Sequence, residues 1–230
     1  MNKRPLVIAH RGFSGRYPEN TLAAIRAALD LGVDFVEIDV HQTRDRELIV
    51  FHDYRLNRIC GVPGRVCDKT WAQIRRLKQQ VPTLAEVLRL CRGKAEVLIE
   101  IKRADPRKIA TMIRKLHMEG EVIVFSLSIP RLKAFAAAAP GITRFGLVAR
   151  NWASSLLALR SSGAVRGIGL SRRLVTSPSV VQELHRRGWK VFVWTVNRQS
   201  EMKRLARYGV DGLITNHPDL ALRLRDAHEL

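Results

Sequence analysis

Two histidines each end a short apolar run. Leu6-Val7-Ile8-Ala9 leads into His10, and Leu48-Ile49-Val50-Phe51 leads into His52. Between them, Phe35-Val36-Glu37-Ile38-Asp39-Val40 carries two acids on alternate positions. Side chains alternate faces along a strand, so Glu37 and Asp39 project from one face. The run Val97-Leu98-Ile99-Glu100-Ile101-Lys102 places Glu100 and Lys102 on one face by the same rule. Three carboxylates facing one cavity repel each other unless a positive charge sits among them. Oxygen ligands suit a hard cation such as Mg²⁺ or Ca²⁺. Such an ion binds and polarises a phosphoryl oxygen. Arg11 and Lys102 add fixed positive charge for a phosphate, which arginine engages bidentately. Imidazoles that titrate near neutrality can divide the general-acid and general-base roles.

Each of these residues also has an ordinary structural role. A histidine at a strand end packs, and an acid there caps the next helix or joins an ion pair. Trp194, in Val193-Trp194-Thr195-Val196-Asn197, serves the core more often than a pocket, although an aromatic at a strand end can wall one. Asn20 reads as the cap of a helix starting at Thr21, and the three cysteines read as small core residues. The joint pattern outweighs the single readings. Charged groups rarely enter buried strands without partners, and here several sit on converging ends.

The elements that must position them alternate. Strand-like runs fall at 6–10, 35–40, 48–52, 97–101, 122–126, 143–148, 167–170, 190–195 and 212–215, with helix-like segments between most of them. Leu22, Ile25 and Leu29 keep helical spacing. Thr83-Leu84-Ala85-Glu86 reads as a capping box. Asp105-Pro106 and Ser177-Pro178 each set a capping residue before a first-turn proline. Ser200 reads as the cap of a segment that Gly209 ends. Repeated strand–helix units predict a parallel sheet, and eight of them close a (β/α)8 TIM barrel. Nine strand candidates is one too many. The runs 35–40 and 48–52, joined by the polar turn Thr43-Arg44-Asp45-Arg46, read as neighbours, one a barrel strand and the other an extension or pairing partner. The segment 53–82 is a long excursion, and such loops are uncommon unless functional. In a parallel barrel the site lies at the C-terminal strand ends, where these residues fall.

The 230 residues fit one barrel domain spanning 1–230, with 53–82 a small insertion within it. No apolar run approaches the roughly 18–20 residues of a membrane-spanning helix. Cys60, Cys67 and Cys91 form neither a disulfide framework nor a zinc signature, so a cytoplasmic setting is expected. The formal charge of +19 could attract phosphorylated substrates, anionic lipid or nucleic acid. The arginines are spread, with pairs at Arg75-Arg76, Arg172-Arg173 and Arg186-Arg187, and no nucleic-acid-binding signature accompanies them. No nucleic-acid partner is expected, and contact with a membrane surface lacks an amphipathic helix to support it.

The same residues carry a resemblance. His10-Arg11-Gly12, Pro18-Glu19-Asn20-Thr21, Glu37-Ile38-Asp39-Val40, His52-Asp53, Pro82-Thr83-Leu84, Glu100-Ile101-Lys102, Trp194-Thr195-Val196-Asn197 and Asp211-Gly212-Leu213-Ile214-Thr215 follow one another in order. In this the chain resembles the glycerophosphodiester phosphodiesterases over nearly its whole length. The resemblance implies a TIM barrel with a short insertion after the second strand, where 53–82 falls. It implies one divalent cation, Mg²⁺ or Ca²⁺, on Glu37, Asp39 and Glu100. It implies His10 and His52 as the catalytic acid/base pair and Arg11 and Lys102 on the substrate phosphate. Three positions depart from the family pattern: Asp45-Arg46 replaces Asp-Gly, Cys60 replaces a threonine, and Thr215-Asn216 replaces Thr-Asp. The expected activity is metal-dependent hydrolysis of a glycerophosphodiester to sn-glycerol 3-phosphate and an alcohol. A lysophospholipase D acting on lysolipids and a non-catalytic phosphodiester-binding barrel are the alternatives.

Overall fold

Strands that are apolar on both faces need cover on both sides, and closure into a barrel supplies it. The computed structural model describes residues 4–77, 80–150, 159 and 165–230. Its parallel strands are β1 (Leu6–His10), β2 (Phe35–Gln42), β4 (Glu96–Ile101), β5 (Val122–Ser126), β6 (Thr143–Val148), β7 (Gly167–Ser171), β8 (Lys190–Trp194) and β9 (Gly212–Thr215). Each pairs with the next, and β1 pairs with both β9 and β2 to close the barrel. The remaining strand, β3 (Leu48–Val50), runs antiparallel to the outer half of β2. The expected barrel is therefore present. Of the two neighbouring runs, the first is the barrel strand and the second is its partner.

Alternation divides the strand residues between two cores. Ile8, Phe35, Leu98, Phe145, Phe192 and Ile214 fill the barrel interior. Val7, Ala9, Val36, Ile38, Val97 and Ile99 point outward under the helices. Gly167 makes room for an interior ring, since a Cβ there would lie 2.5 Å from the tip of Phe145. The same inward rows become polar one step toward the strand ends. Ile8 is followed by His10, Phe35 by Glu37 and Asp39, and Leu98 by Glu100. Strand register sets His10 beside Glu37 and Asp39 beside Glu100.

The helices follow their capping signals with three corrections. In α1 (Leu22–Asp30) the cap is Thr21, whose hydroxyl accepts from the Ala24 amide at 3.2 Å. Asn20 is not the cap; its amide is drawn into the barrel mouth instead. The short helices α2 (Asn57–Cys60) and α3 (Trp71–Arg75) lie in the excursion. The capping box of α4 (Leu84–Cys91) and the Asp105 cap of α5 (Pro106–Lys115) form as read. After α6 (Ile129–Ala138), α7 is Pro178–Arg186; Ser177 holds its cap position before the first-turn proline as read, but the Ser177 hydroxyl bonds Ser179 and makes no cap bond. In α8 (Gln199–Arg207) the cap position is Arg198, so Ser200 is already inside the first turn. Gly209 follows with φ +83°, and α9 (Pro218–Asp226) ends the chain.

The excursion 53–82 follows β3 and is not a bare loop. Ile49, Phe51, Leu56, Val66, Ile74 and Val81 give it a small core of its own. Of the cysteines, Cys91 is buried in the main core, while Cys60 and Cys67 are half-exposed in the excursion, and all three are free. Among the described residues, no helix is long and apolar enough to cross a membrane.

Candidate active site

His10 ends β1, where the chain must turn sharply toward α1. Arg11 and Gly12 turn it with φ of +58° and +76°. A Cβ on Gly12 would sit 2.6 Å from the Ala24 carbonyl carbon, so only glycine lets the loop lie against α1. The Arg11 amide donates to the Glu37 backbone carbonyl at 2.8 Å and to Glu37 Oε2 at 3.0 Å. His10 Nδ1 donates to Asn216 Oδ1 at 2.6 Å. That leaves Nε2 free to accept, 4.0 Å from Glu37 Oε2.

His52 reaches the same mouth by another route. The β2–β3 hairpin folds back over the barrel end, and His52 follows it two residues later. Its Nδ1 donates to Asp53 Oδ1 at 2.6 Å, again leaving Nε2 bare. His41, buried on β2, donates from Nε2 to the His52 carbonyl at 3.0 Å and meets the Tyr54 ring edge-on. Both cavity histidines are less basic than their sequence positions suggest. Burial, then the Arg11 charge, lowers His10 to about 4. Burial also lowers His52, against the pull of Asp39.

Glu37, Asp39 and Glu100 come together as their strand spacing predicts. One oxygen from each lies within 4.8 Å of the others, and all three residues are buried. Lys102 Nζ lies 2.8 Å from Glu100 Oε1 and 3.3 Å from Asp39 Oδ1. Burial and then the Asp39 charge raise Glu100 to about 7, and the same two causes hold Glu37 well above the usual carboxylate range. Burial opposes ionisation of Asp39 too, but Lys102 and Arg11 outweigh it and lower its pKa. Three buried carboxylates crowded this closely, two of which resist ionisation through burial and the Asp39 charge, are the oxygen donor set a hard divalent cation takes. The residues fit such an ion.

Arg11 and Lys102 are engaged by protein acids. Arg11 Nη1 donates to Glu19 Oε1 at 2.9 Å. Its Nε lies 3.2 Å from Asp39 Oδ2 but off the line of a hydrogen bond, leaving a buried donor unsatisfied. Asn20 Nδ2 donates to Asp39 Oδ2 at 3.0 Å. These groups border a cavity of about 190 Å³. His10, Arg11, Glu37, His52, Glu100 and Lys102 line one side, and Phe125, Leu127, Leu147, Trp194 and Ile214 line the other. A larger crevice at the opposite end, about 760 Å³, is bordered by Phe35, Phe145 and Phe192 and by Asp34, Glu96 and Glu119, but among the described residues by no histidine.

Sequence reasoning passed over the residues that hold this set in place. Arg58 is the hub. It donates to Asp53 Oδ2 at 2.7 Å and Oδ1 at 2.9 Å, and to Glu19 Oε1 at 2.8 Å and Oε2 at 3.0 Å. It thus joins the acid behind His52 to the acid behind Arg11. Its hydrogen bonds hold Asp53 down to about 2. Burial pushes Glu19 up, but Arg58 and Arg11 more than reverse it. Asn216 and His41 were equally silent in the sequence, although the departure at Thr215-Asn216 marked the first position.

Comparison with known proteins agrees with this constellation. Residues 10–220 match the model of the glycerophosphoryl diester phosphodiesterase family. The glycerophosphodiester phosphodiesterase of Caldanaerobacter subterraneus subsp. tengcongensis is 32% identical over 249 residues, covering 96% of this chain and 98% of that protein. Among solved structures, the glycerophosphodiester phosphodiesterase of Agrobacterium tumefaciens aligns at 26% identity with a TM-score of 0.83, over 95% of this chain and 99% of that one. An Oleispira antarctica phosphodiesterase, solved in complex with the product sn-glycerol-3-phosphate, aligns at 25% identity and a TM-score of 0.87, over 97% of both chains. With this barrel and these motifs in register, the chain belongs to the glycerophosphoryl diester phosphodiesterase family.

Proposed function

We propose that this chain, acting as one domain with 53–82 built into it, hydrolyses glycerophosphodiesters to sn-glycerol 3-phosphate and an alcohol. His10 and His52 are the acid/base pair, and Glu37, Asp39 and Glu100 hold one divalent cation, Mg²⁺ or Ca²⁺. The observation that carries this reading is one cavity bordered by two histidines, two fixed cations and Glu37 and Glu100, with Asp39 completing their carboxylate cluster behind its wall. The product bound to the Oleispira antarctica relative supports the product assigned here.

The side chains divide the work. Arg11, with its unsatisfied Nε, and Lys102 bind phosphoryl oxygens and stabilise charge that builds on them. When bound, the cation supplies Lewis-acid polarisation of a phosphoryl oxygen. One histidine accepts the proton of the attacking hydroxyl, which belongs either to water or to the neighbouring glycerol carbon; in the second case a cyclic phosphodiester forms as the alcohol leaves, and water then opens it to glycerol 3-phosphate. The other donates a proton to the alcohol oxygen as its bond to phosphorus breaks. Asn216 and Asp53 fix each ring through Nδ1, so Nε2 is the working atom on both. An arriving phosphodiester anion favours the imidazolium form and so offsets the burial that lowers both groups. Phe125, Leu147 and Trp194 give the cavity a water-poor wall, which strengthens the charge interactions inside it.

The test is release of glycerol 3-phosphate from glycerophosphocholine and glycerophosphoethanolamine by purified protein with Mg²⁺, Ca²⁺ or EDTA. Release should depend on the metal and fall about 10²–10⁴-fold in His10→Ala and His52→Ala. Near-normal turnover in either variant would overturn the assignment of that residue.

A further inference from the structure

The reacting cavity does not end at Trp194. Beyond Trp194 and Thr195 lies a second, open cleft of about 680 Å³ over the ends of β6, β7 and β8. Arg150, Arg172 and Arg173 line it, with Ser171 and Asn197, and no acid does. Arg172 is paired with Glu201 at 2.5 Å. Arg150 and Arg173 are exposed, and among the described residues no carboxylate pairs with either. The sequence explains why. Residues 122–182 contain no aspartate or glutamate but eight arginines and lysines. The β5–β7 side of the barrel therefore has no local acid with which to neutralise them. A second observation points to a ligand at the junction. In the wall common to both cavities, Trp194 Nε1 is a buried donor with no acceptor.

We propose that this cleft is the alcohol subsite, and that it selects alcohols carrying a negative group of their own, a phosphate or a carboxylate. The inference rests on the hydrolytic reading of the adjoining cavity. The phosphodiester group is engaged in the adjoining cavity and the glycerol half is uncharged, so a charged group seated among these arginines themselves has to be the alcohol's own. Two unpaired guanidiniums repel choline and ethanolamine, whose cationic groups would lie within the Debye length of about 8 Å at physiological salt. They attract a phosphate or carboxylate and can grip it bidentately. Trp194 Nε1 then donates to an oxygen of the same substrate as it crosses from one cavity to the other.

The experiment compares kcat/KM on a matched pair, glycerophosphoinositol and glycerophosphoinositol 4-phosphate, which differ by one phosphate on the alcohol. Glycerophosphocholine is the cationic third substrate. The proposal expects the phosphorylated diester to be preferred at least tenfold over its neutral partner, with glycerophosphocholine poorest. The preference should shrink as NaCl rises from 20 to about 500 mM, as the screening length contracts. In the double variant Arg150→Gln/Arg173→Gln the ratio within the matched pair should collapse to below threefold. Removing two arginines remote from the cleft, by Arg186→Gln/Arg223→Gln, should leave the ratio as it was, which separates a local subsite from the general positive field. Equal rates on all three substrates, or a preference that survives the cleft variant, would overturn the proposal while leaving the hydrolytic reading intact. Absence of hydrolysis of every diester with either metal would overturn both.

Discussion

Replacing Arg58 separates positioning from packing in this site. Arg58 reaches two carboxylates with four hydrogen bonds, but its side chain is 51% exposed. Two unit charges about 4 Å apart gain roughly 1 kcal/mol in a water-like dielectric, and the exposure of Arg58 puts both pairs near that limit. Arg58→Ala should therefore lower stability by about 2 kcal/mol. At about 2–4 °C per kcal/mol for a chain of this size, that is a fall of about 4–8 °C in Tm. The effect on turnover should be larger than this modest loss suggests. Asp53 would keep its charge but lose the group that anchors it, and the His52 ring would lose its fixed orientation. Loss of an outer partner of this kind typically reduces activity 10–100-fold. The pH profile should move as well. Without Arg58 the Asp53 carboxylate beside His52 is no longer neutralised, which favours the imidazolium, so the limb of kcat/KM that tracks His52 moves to higher pH. Arg58→Lys keeps the charge but cannot fork to both acids, so it should restore the pH limb more fully than the rate. The assay is continuous detection of glycerol 3-phosphate release from pH 5 to 9, beside thermal melts. Turnover within twofold of the parent and an unmoved profile, with only Tm reduced, would refute the positioning role.

Two further outcomes concern Asn216 and Arg46. Asn216→Asp puts a carboxylate on His10 Nδ1 in place of an amide; the His10 limb of the kcat/KM profile should move to higher pH by about one unit or more, and an unmoved limb would deny that Asn216 sets the basicity of His10. Arg46 holds φ +68° in the β2–β3 turn, where Gln42 and Lys108 bond only its carbonyl; Arg46→Gly should relieve about 1–2 kcal/mol of left-handed strain against about 0.5–1 of added chain entropy, raising Tm by a few degrees, and a lower Tm would show that the side chain contributes more than the backbone strain removes.

What the sequence discloses here follows from the range of the interaction involved. Period-2 alternation is local, so the shared faces of Glu37 with Asp39 and of Glu100 with Lys102 are legible within single strands. Closure of the barrel then brings those faces together without further information. The caps at Thr83 and Asp105 are legible for the same reason, since donor and acceptor lie three residues or fewer apart. Asn20 misleads because a capping residue type was available for a tertiary bond to Asp39 and the adjacent Thr21 could cap instead. The partners of the site residues lie far away in sequence. Asn216 is 206 positions from His10, and Arg58 is 39 from Glu19. No local pattern distinguishes Arg58 from the other arginines of so basic a chain. Its role appears only when the excursion, packed on its own small core, lowers α2 over the barrel mouth.

The charges around the cavity do not balance, and the imbalance has a direction. Glu19, Glu37, Asp39 and Glu100 face Arg11 and Lys102, while Arg58 and Asp53 cancel. Two negative charges are left over in a buried site, where burial first and the Asp39 charge second make Glu37 and Glu100 resist ionisation. A phosphodiester anion cannot enter such a site on the strength of its side chains alone. In the function proposed, a divalent cation on Glu37, Asp39 and Glu100 would restore neutrality and favour their ionised forms, leaving Arg11 and Lys102 available to a substrate. Even then the cavity is only neutral, and a net attraction for an anion has to come from outside it. The β5–β7 side of the barrel, at whose rim no carboxylate among the described residues pairs with Arg150 or Arg173, would supply that attraction on the side where the alcohol would leave. The excess of basic residues that looks indiscriminate in the composition is, at this rim, placed where the chemistry lacks positive charge.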